Sequence, residues 1–150
     1  MAESGNARRR LLVVEDNPGD VALLRLALAR ANVDCDLTVF EDGSEALDLA
    51  RQRGKHALAE VPDLMVLDLN IPKYDGLEIL EALRANPAFE GLRVVVLSSS
   101  SSPREKANIE RFHVTQYITK PLDLNEFLRI GIVLKELLLS GDAPAVTPEA

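Results

Sequence analysis

The chain has 150 residues, of which 47% are hydrophobic and 27% are charged, and its formal net charge at pH 7 is -7. This length and composition suit one globular domain, and the acidic balance argues against a general nucleic-acid binder, which needs a basic surface. The single cysteine, Cys35, excludes an internal disulfide, and no apolar stretch reaches the roughly 20 residues of a membrane span, so we predict a cytoplasmic protein.

Short apolar runs alternate with helical patterns along the chain. The first predicted strand, 10–14, is followed by Asn17 and Pro18, which are typical of a helix start, and then by apolar residues at helical spacing. The remaining predicted strands span 35–40, 63–68, 92–97 and 115–119. The second predicted helix ends near Arg53. The three later helices are predicted to span 77–85, 103–112 and 123–140. This alternation predicts an α/β fold, a doubly wound five-stranded parallel sheet with five helices.

The predicted domain limits follow from the same pattern. We expect residues 1–9 to form an N-terminal tail, residues 10–140 to form one folded domain, and residues 141–150 to form a flexible C-terminal tail.

Polar residues stand where four of the apolar runs end. Glu15 and Asp16 follow the first strand, Asp68 ends the third, Ser98 follows the fourth and Lys120 follows the fifth. Because ligands of parallel sheets sit beyond the carboxyl ends of the strands, these side chains are expected to converge. Taken singly, each could be a helix cap or a surface side chain. Together, three carboxylates suit a hard divalent cation such as Mg²⁺, and the ammonium and hydroxyl suit a phosphoryl group.

At these positions the chain resembles the receiver domains of two-component response regulators, from about Arg10 to Ser140. The motifs that carry the resemblance are Glu15-Asp16, Asp68-Leu69-Asn70 with Pro72 and Asp75-Gly76, Ser98, and Tyr117 with Lys120-Pro121. The stretches 14–20 and 67–73 resemble the stand-alone regulators that are paired with bacterial phytochromes. The resemblance implies a flavodoxin-like topology. It also implies that a sensor histidine kinase is the phosphoryl donor, which in this subfamily would be a bacteriophytochrome.

The resemblance also implies a role for each matched residue. Asp68 would be the phosphoacceptor, Ser98 and Lys120 would contact the phosphoryl oxygens, and Tyr117 would turn inward as a switch. Signalling would then occur by protein–protein contact on the face around the fourth helix, the fifth strand and the last helix. Slow self-dephosphorylation is expected, without turnover of an external substrate. The Mg²⁺ ligands would be Glu15, Asp16, Asp68 and the backbone carbonyl of Asn70.

Three local features add further expectations. Residues 112–114 are Phe-His-Val where many receivers have Ala-Gly, so we expect different backbone angles there. Ser99 stands where alanine is commoner, which would alter the lifetime of an aspartyl phosphate. We expect a cis bond at Pro121, which would aim Lys120 inward.

The last predicted helix is apolar around most of its circumference. A helix that lies on a sheet needs only about a 100°-wide apolar stripe. The surplus predicts a homodimer, unless the C-terminal tail folds back over this helix. The residues assigned to the dimer interface are Ile130, Leu134, Leu137 and Leu138.

Two other functions fit parts of the pattern. A magnesium-dependent phosphatase-like enzyme would use Asp68 as nucleophile, but a second acid would then be expected two residues later, where this chain has Asn70. A binding module that works without phosphate would normally lack one of the acids or the lysine. The complete set therefore favours a phosphoacceptor over an enzyme or a phosphate-independent module.

Overall fold

The computed structural model describes residues 8–54, 60–71 and 75–140. Pro72, residues 1–7 of the predicted N-terminal tail and the predicted tail at 141–150 lie outside the described residues. The strands are β1 (Arg9–Val14), β2 (Cys35–Phe40), β3 (Leu64–Asp68), β4 (Val94–Ser98) and β5 (Gln116–Thr119). The helices are α1 (Pro18–Arg30), α2 (Gly43–Ala50), α3 (Gly76–Ala85), α4 (Pro103–Glu110), α5 (Leu124–Leu128) and α6 (Ile130–Ser140), with a 3₁₀ turn at Pro87–Phe89.

The five strands form one parallel sheet in the order β2-β1-β3-β4-β5. This order confirms the predicted doubly wound, flavodoxin-like fold. The central strands β3 and β4 are buried along their whole length, which is why their sequences are continuous apolar runs. The edge strand β2 is only partly covered, and its burial alternates along the chain.

Two apolar layers cover the sheet. Leu12 and Met65 belong to a core shared with α2 and α3, whereas Leu11 and Leu64 belong to a core shared with α1, α5 and α6. Successive side chains of a strand point to opposite faces, so each buried strand contributes to both cores. The packing on both faces fixes the carboxyl ends of β1, β3 and β4 relative to one another.

The predicted last helix is interrupted. The structure divides the predicted span 123–140 at Arg129 into α5 and α6. Gly131 then brings α6 against α1, because a Cβ at this position would lie 2.1 Å from the backbone oxygen of Ala27.

This packing corrects the predicted dimer interface. α6 packs on both the sheet and α1, so its apolar face is wider than a helix on a sheet alone would need. Three of the four assigned residues are therefore buried within the chain, namely Ile130, Leu134 and Leu138. Among the described residues that follow β5, the exposed large apolar side chains are Leu122, Leu124, Ile132 and Leu139.

Several boundaries differ from the predictions. α2 ends at Ala50 rather than near Arg53, and Gln52 then takes a positive φ of 52°. α4 ends at Glu110 rather than at 112, and His113 has a φ of 57°, the left-handed region that glycine enters most easily. No described peptide bond is cis, so the expectation for Pro121 was wrong. In the described parts of the chain no helix has the length and apolarity needed to cross a membrane.

Candidate functional site

Three carboxylates meet at the carboxyl edge of the sheet. Glu15 directly follows β1, Asp68 ends β3, and these neighbouring strands are in register at Val14 and Leu67. One carboxylate oxygen from each of Glu15, Asp16 and Asp68 lies within 4.8 Å of the others. Glu15 and Asp68 are buried, whereas Asp16 is exposed, so the cluster is anchored in the sheet and open to solvent on one side.

The ammonium of Lys120 lies among these acids. Its Nζ donates to Oε1 of Glu15 at 3.1 Å, to Oδ2 of Asp68 at 2.9 Å and to Oδ2 of Asp20 at 2.7 Å. The lysine side chain is 15% exposed, and a backbone bond from its N–H to the Ser98 carbonyl at 2.7 Å fixes the end of β5. Lys120 therefore reaches the Asp68 carboxylate without the cis bond that was expected at Pro121.

The electrostatics of the cluster follow from burial. Burial, then a hydrogen bond and the negative charge of Asp68, raise the pKa of Glu15 to about 7. Burial alone would lower the pKa of Lys120, but hydrogen bonds to Asp20 and Asp68 outweigh it and raise the pKa above its ordinary value. The lysine thus stays charged, while the burial of Glu15, with smaller contributions from Asp68, favours the protonated form of this carboxyl near neutral pH.

The donor set fits a hard divalent cation. Glu15, Asp16 and Asp68 offer oxygen ligands only, which suit Mg²⁺ or Mn²⁺ better than a soft metal. A bound cation would favour the ionised form of Glu15 and so oppose the burial that raises the pKa of this carboxyl. The backbone N–H of Asn70 donates to Oδ1 of Asp68 at 2.9 Å, which holds the Asn70 backbone beside the Asp68 carboxylate. The role of its carbonyl as a ligand stays a prediction.

Ser98 and Tyr117 are joined through a residue that the sequence did not single out. The buried hydroxyl of Ser98 donates to Oε1 of Glu105 at 2.7 Å and accepts from the Ser100 N–H at 3.0 Å. The phenol of Tyr117 lies 2.6 Å from the same Glu105 oxygen and 3.0 Å from the Ser100 carbonyl. The tyrosine is thus turned toward the β4–α4 loop. Ser99 faces elsewhere, because its N–H and hydroxyl both donate to the Asn70 side chain.

Sequence reasoning missed two charged residues of this region, Asp20 and Glu105. Asp20 lies in the first turn of α1, whose N-cap Asn17 suggested only a helix start. Glu105 stands three residues after Ser102, a spacing typical of a capping box. In both cases a role at the start of a helix explained the residue in the sequence. Only the folded structure shows that Asp20 contacts Lys120 and that Glu105 contacts Ser98.

Comparisons with known proteins identify the family. The family model described as the response regulator receiver domain matches residues 11–130. This chain belongs to the response regulator receiver domain family.

Two of its relatives, Rcp1 and RcpA, are similar to it along nearly their full length. The response regulator Rcp1 of Synechocystis is 32% identical over 87% of this chain and 88% of Rcp1. The phosphorylated cyanobacterial phytochrome response regulator RcpA superposes with a TM-score of 0.81 at 37% identity, covering 95% of this chain and 100% of RcpA. The Mn²⁺-bound form of Rcp1 superposes with a TM-score of 0.79 at 30% identity, covering 95% of this chain and 99% of that structure. The resemblance to phytochrome-associated stand-alone regulators is confirmed.

Proposed function

We propose that Asp68 accepts a phosphoryl group from a phosphohistidine of a sensor histidine kinase in a magnesium-dependent reaction. The observation that carries this proposal is the buried Asp68 carboxylate, which bonds to Lys120 at 2.9 Å and shares an oxygen cluster with Glu15 and Asp16. A carboxylate oxygen of Asp68 forms the new P–O bond in line as the bond from phosphorus to the imidazole nitrogen breaks. The electron pair of that bond leaves with the imidazole.

The residues around Asp68 support this transfer. Lys120 offers a positive charge to the phosphoryl oxygens, and Asn70 fixes the acceptor through its backbone N–H. A magnesium ion held by Glu15, Asp16, Asp68 and the Asn70 carbonyl would neutralise charge on the phosphoryl group during transfer. These residues provide an acceptor, a counter-charge and metal ligands. None of these roles involves the conversion and release of an external substrate. We therefore propose a phosphoacceptor with at most self-phosphorylation from small donors and slow self-dephosphorylation.

Phosphoryl incorporation tests the proposal. Acetyl phosphate with Mg²⁺ is expected to label the wild-type protein and not Asp68→Asn, as measured by intact-protein mass. Asp48→Asn makes the same charge change in α2, outside the acidic cluster, and is expected to be labelled like the wild type. Equal labelling of Asp68→Asn and Asp48→Asn would exclude Asp68 as the acceptor.

The proposed partner is a sensor histidine kinase of the phytochrome type. Its support is the similarity to Rcp1 and to RcpA, which is a cyanobacterial phytochrome response regulator. Phosphotransfer profiling against the purified kinases of the source organism tests this pairing. A phytochrome kinase is expected to label the protein fastest, and preferential labelling by a kinase of another class would contradict the pairing. The predicted cytoplasmic location stays a prediction.

We also propose a homodimer, through exposed rather than buried residues. Ile132 and Leu139 lie seven positions apart in α6 and so share a face, and they are 52% and 70% exposed. The double variant Ile132→Gln/Leu139→Gln is expected to lower the mass measured by light scattering at micromolar concentration. Leu26→Gln, at an exposed position of α1, is the control. A wild-type protein that is monomeric with and without a phosphoryl mimic would exclude the dimer.

A further inference from the structure

Glu105 is the common acceptor for two hydroxyl groups. Its Oε1 lies 2.7 Å from the Ser98 hydroxyl and 2.6 Å from the Tyr117 phenol, although these residues belong to different strands. Ser98 is fully buried, so its hydroxyl forms hydrogen bonds with groups of the protein rather than with bulk water. Bonds from a hydroxyl to a carboxylate are charge-assisted and stronger than bonds between neutral groups.

The carboxylate of Glu105 contacts Ser98 and Tyr117 in place of the capping bond that its position in α4 would allow. Ser102 caps α4 by accepting from the Glu105 N–H at 3.3 Å, which is one half of a capping box. The other half would be a bond from the Ser102 N–H to the Glu105 carboxylate. Instead, the Ser102 N–H donates to the Ser100 hydroxyl at 3.0 Å. The carboxylate is thus directed toward Ser98 and Tyr117.

We propose that Glu105 is a positioning residue that holds Ser98 and Tyr117 in the resting arrangement and opposes phosphorylation of the domain. This inference rests on the proposed phosphoacceptor function. A serine hydroxyl has one hydrogen, so Ser98 cannot donate to Glu105 and to a phosphoryl oxygen on Asp68 at the same time. For Ser98 to contact the phosphoryl group, as the resemblance to receiver domains implies, its bond to Glu105 must break. Because Glu105 lies in the first turn of α4, that release loosens the start of α4 while Tyr117 keeps its bond to the carboxylate.

The cost of breaking this bond sets the expected effect of Glu105→Gln. The amide keeps the size of the side chain but replaces a charge-assisted acceptor by a neutral one, so the resting arrangement loses stability. Glu105→Gln is expected to reach half-maximal labelling at an acetyl phosphate concentration about five to ten times lower than the wild type. Glu105→Asp keeps the charge but shortens the side chain, and it is also expected to lower the acetyl phosphate concentration needed for half-maximal labelling.

A matched control separates this contact from the general effect of charge. Glu110 is an exposed acid at the end of the same helix, and Glu110→Gln makes the same charge change. Glu110→Gln is expected to be labelled like the wild type. Equal shifts in Glu105→Gln and Glu110→Gln, or no shift in either, would overturn the proposal.

A second measurement needs no phosphoryl group. The chain has two tyrosines, so Tyr74→Phe leaves Tyr117 as the single phenol for ultraviolet titration. Burial, and then the bond to Glu105, raise the pKa of Tyr117 above its ordinary value. Adding Glu105→Gln to Tyr74→Phe is expected to lower this pKa, and an unchanged pKa would overturn the proposal. If the wild type is never labelled, the proposed phosphoacceptor function fails, whereas this titration still reports whether Glu105 holds Tyr117.

Discussion

Replacing Lys120 by methionine removes the one ammonium that bonds to three carboxylates at the sheet edge. The side chains of Glu15 and Asp68 are 0% and 3% exposed, that of Lys120 is 15% exposed, and that of Asp20 is 24% exposed. Methionine fills a similar volume without charge, so the variant leaves buried acids without a counter-charge. Removing one partner of a buried ion pair typically destabilises a protein by about 3–5 kcal/mol, and the partial exposure of Asp20 favours the lower end, about 3 kcal/mol.

Urea unfolding in EDTA and in Mg²⁺ measures this effect. In EDTA, Lys120→Met is expected to lose about 3 kcal/mol of unfolding free energy relative to the wild type. In millimolar Mg²⁺ the loss is expected to shrink, because the cation neutralises the same carboxylates and binds more tightly when the lysine is absent. A loss below about 1 kcal/mol in EDTA, together with unchanged Mg²⁺ affinity, would refute the account of Lys120 as the counter-charge of the site.

Two further predictions concern the same edge and the α1–α6 contact. Since Glu15 holds a proton below its pKa of about 7, Mg²⁺ must displace that proton at low pH. Mg²⁺ affinity by titration calorimetry should therefore rise from pH 6 to pH 8, and a flat profile would contradict the raised pKa. Gly131→Ala places a Cβ 2.1 Å from the Ala27 carbonyl oxygen and is expected to cost about 1–3 kcal/mol in urea unfolding. Gly91→Ala, which meets nothing within 4 Å, should be near neutral, and equal effects of the two substitutions would count against a tight helix contact.

The fold was predictable because its signals are local and repeated. Each buried strand is a short apolar run, and Asn17 caps α1 at the predicted start by accepting from the N–H groups of Gly19 and Asp20. The convergence of Glu15 and Asp68 follows from the parallel topology alone. These features require no knowledge of side-chain rotamers.

The remaining features depend on contacts between distant parts of the chain. Asp20 and Glu105 have local roles at helix starts, and only their rotamers in the folded protein direct them to Lys120 and Ser98. Three of the four residues assigned to the dimer interface are buried within the chain, because the width of an apolar face does not show how many elements cover it. In this fold α6 packs on α1 as well as on the sheet, and Gly131 permits the close approach.

The most direct test of the central claim is to locate the phosphoryl group chemically. Borohydride reduction converts an aspartyl phosphate to homoserine, and peptide mass spectrometry then identifies the modified position. After treatment with acetyl phosphate and Mg²⁺, homoserine is expected at Asp68, and omission of Mg²⁺ in EDTA is expected to prevent it. Homoserine at Asp16 or Asp20 in place of Asp68, or a modification that forms equally well in EDTA, would contradict the account.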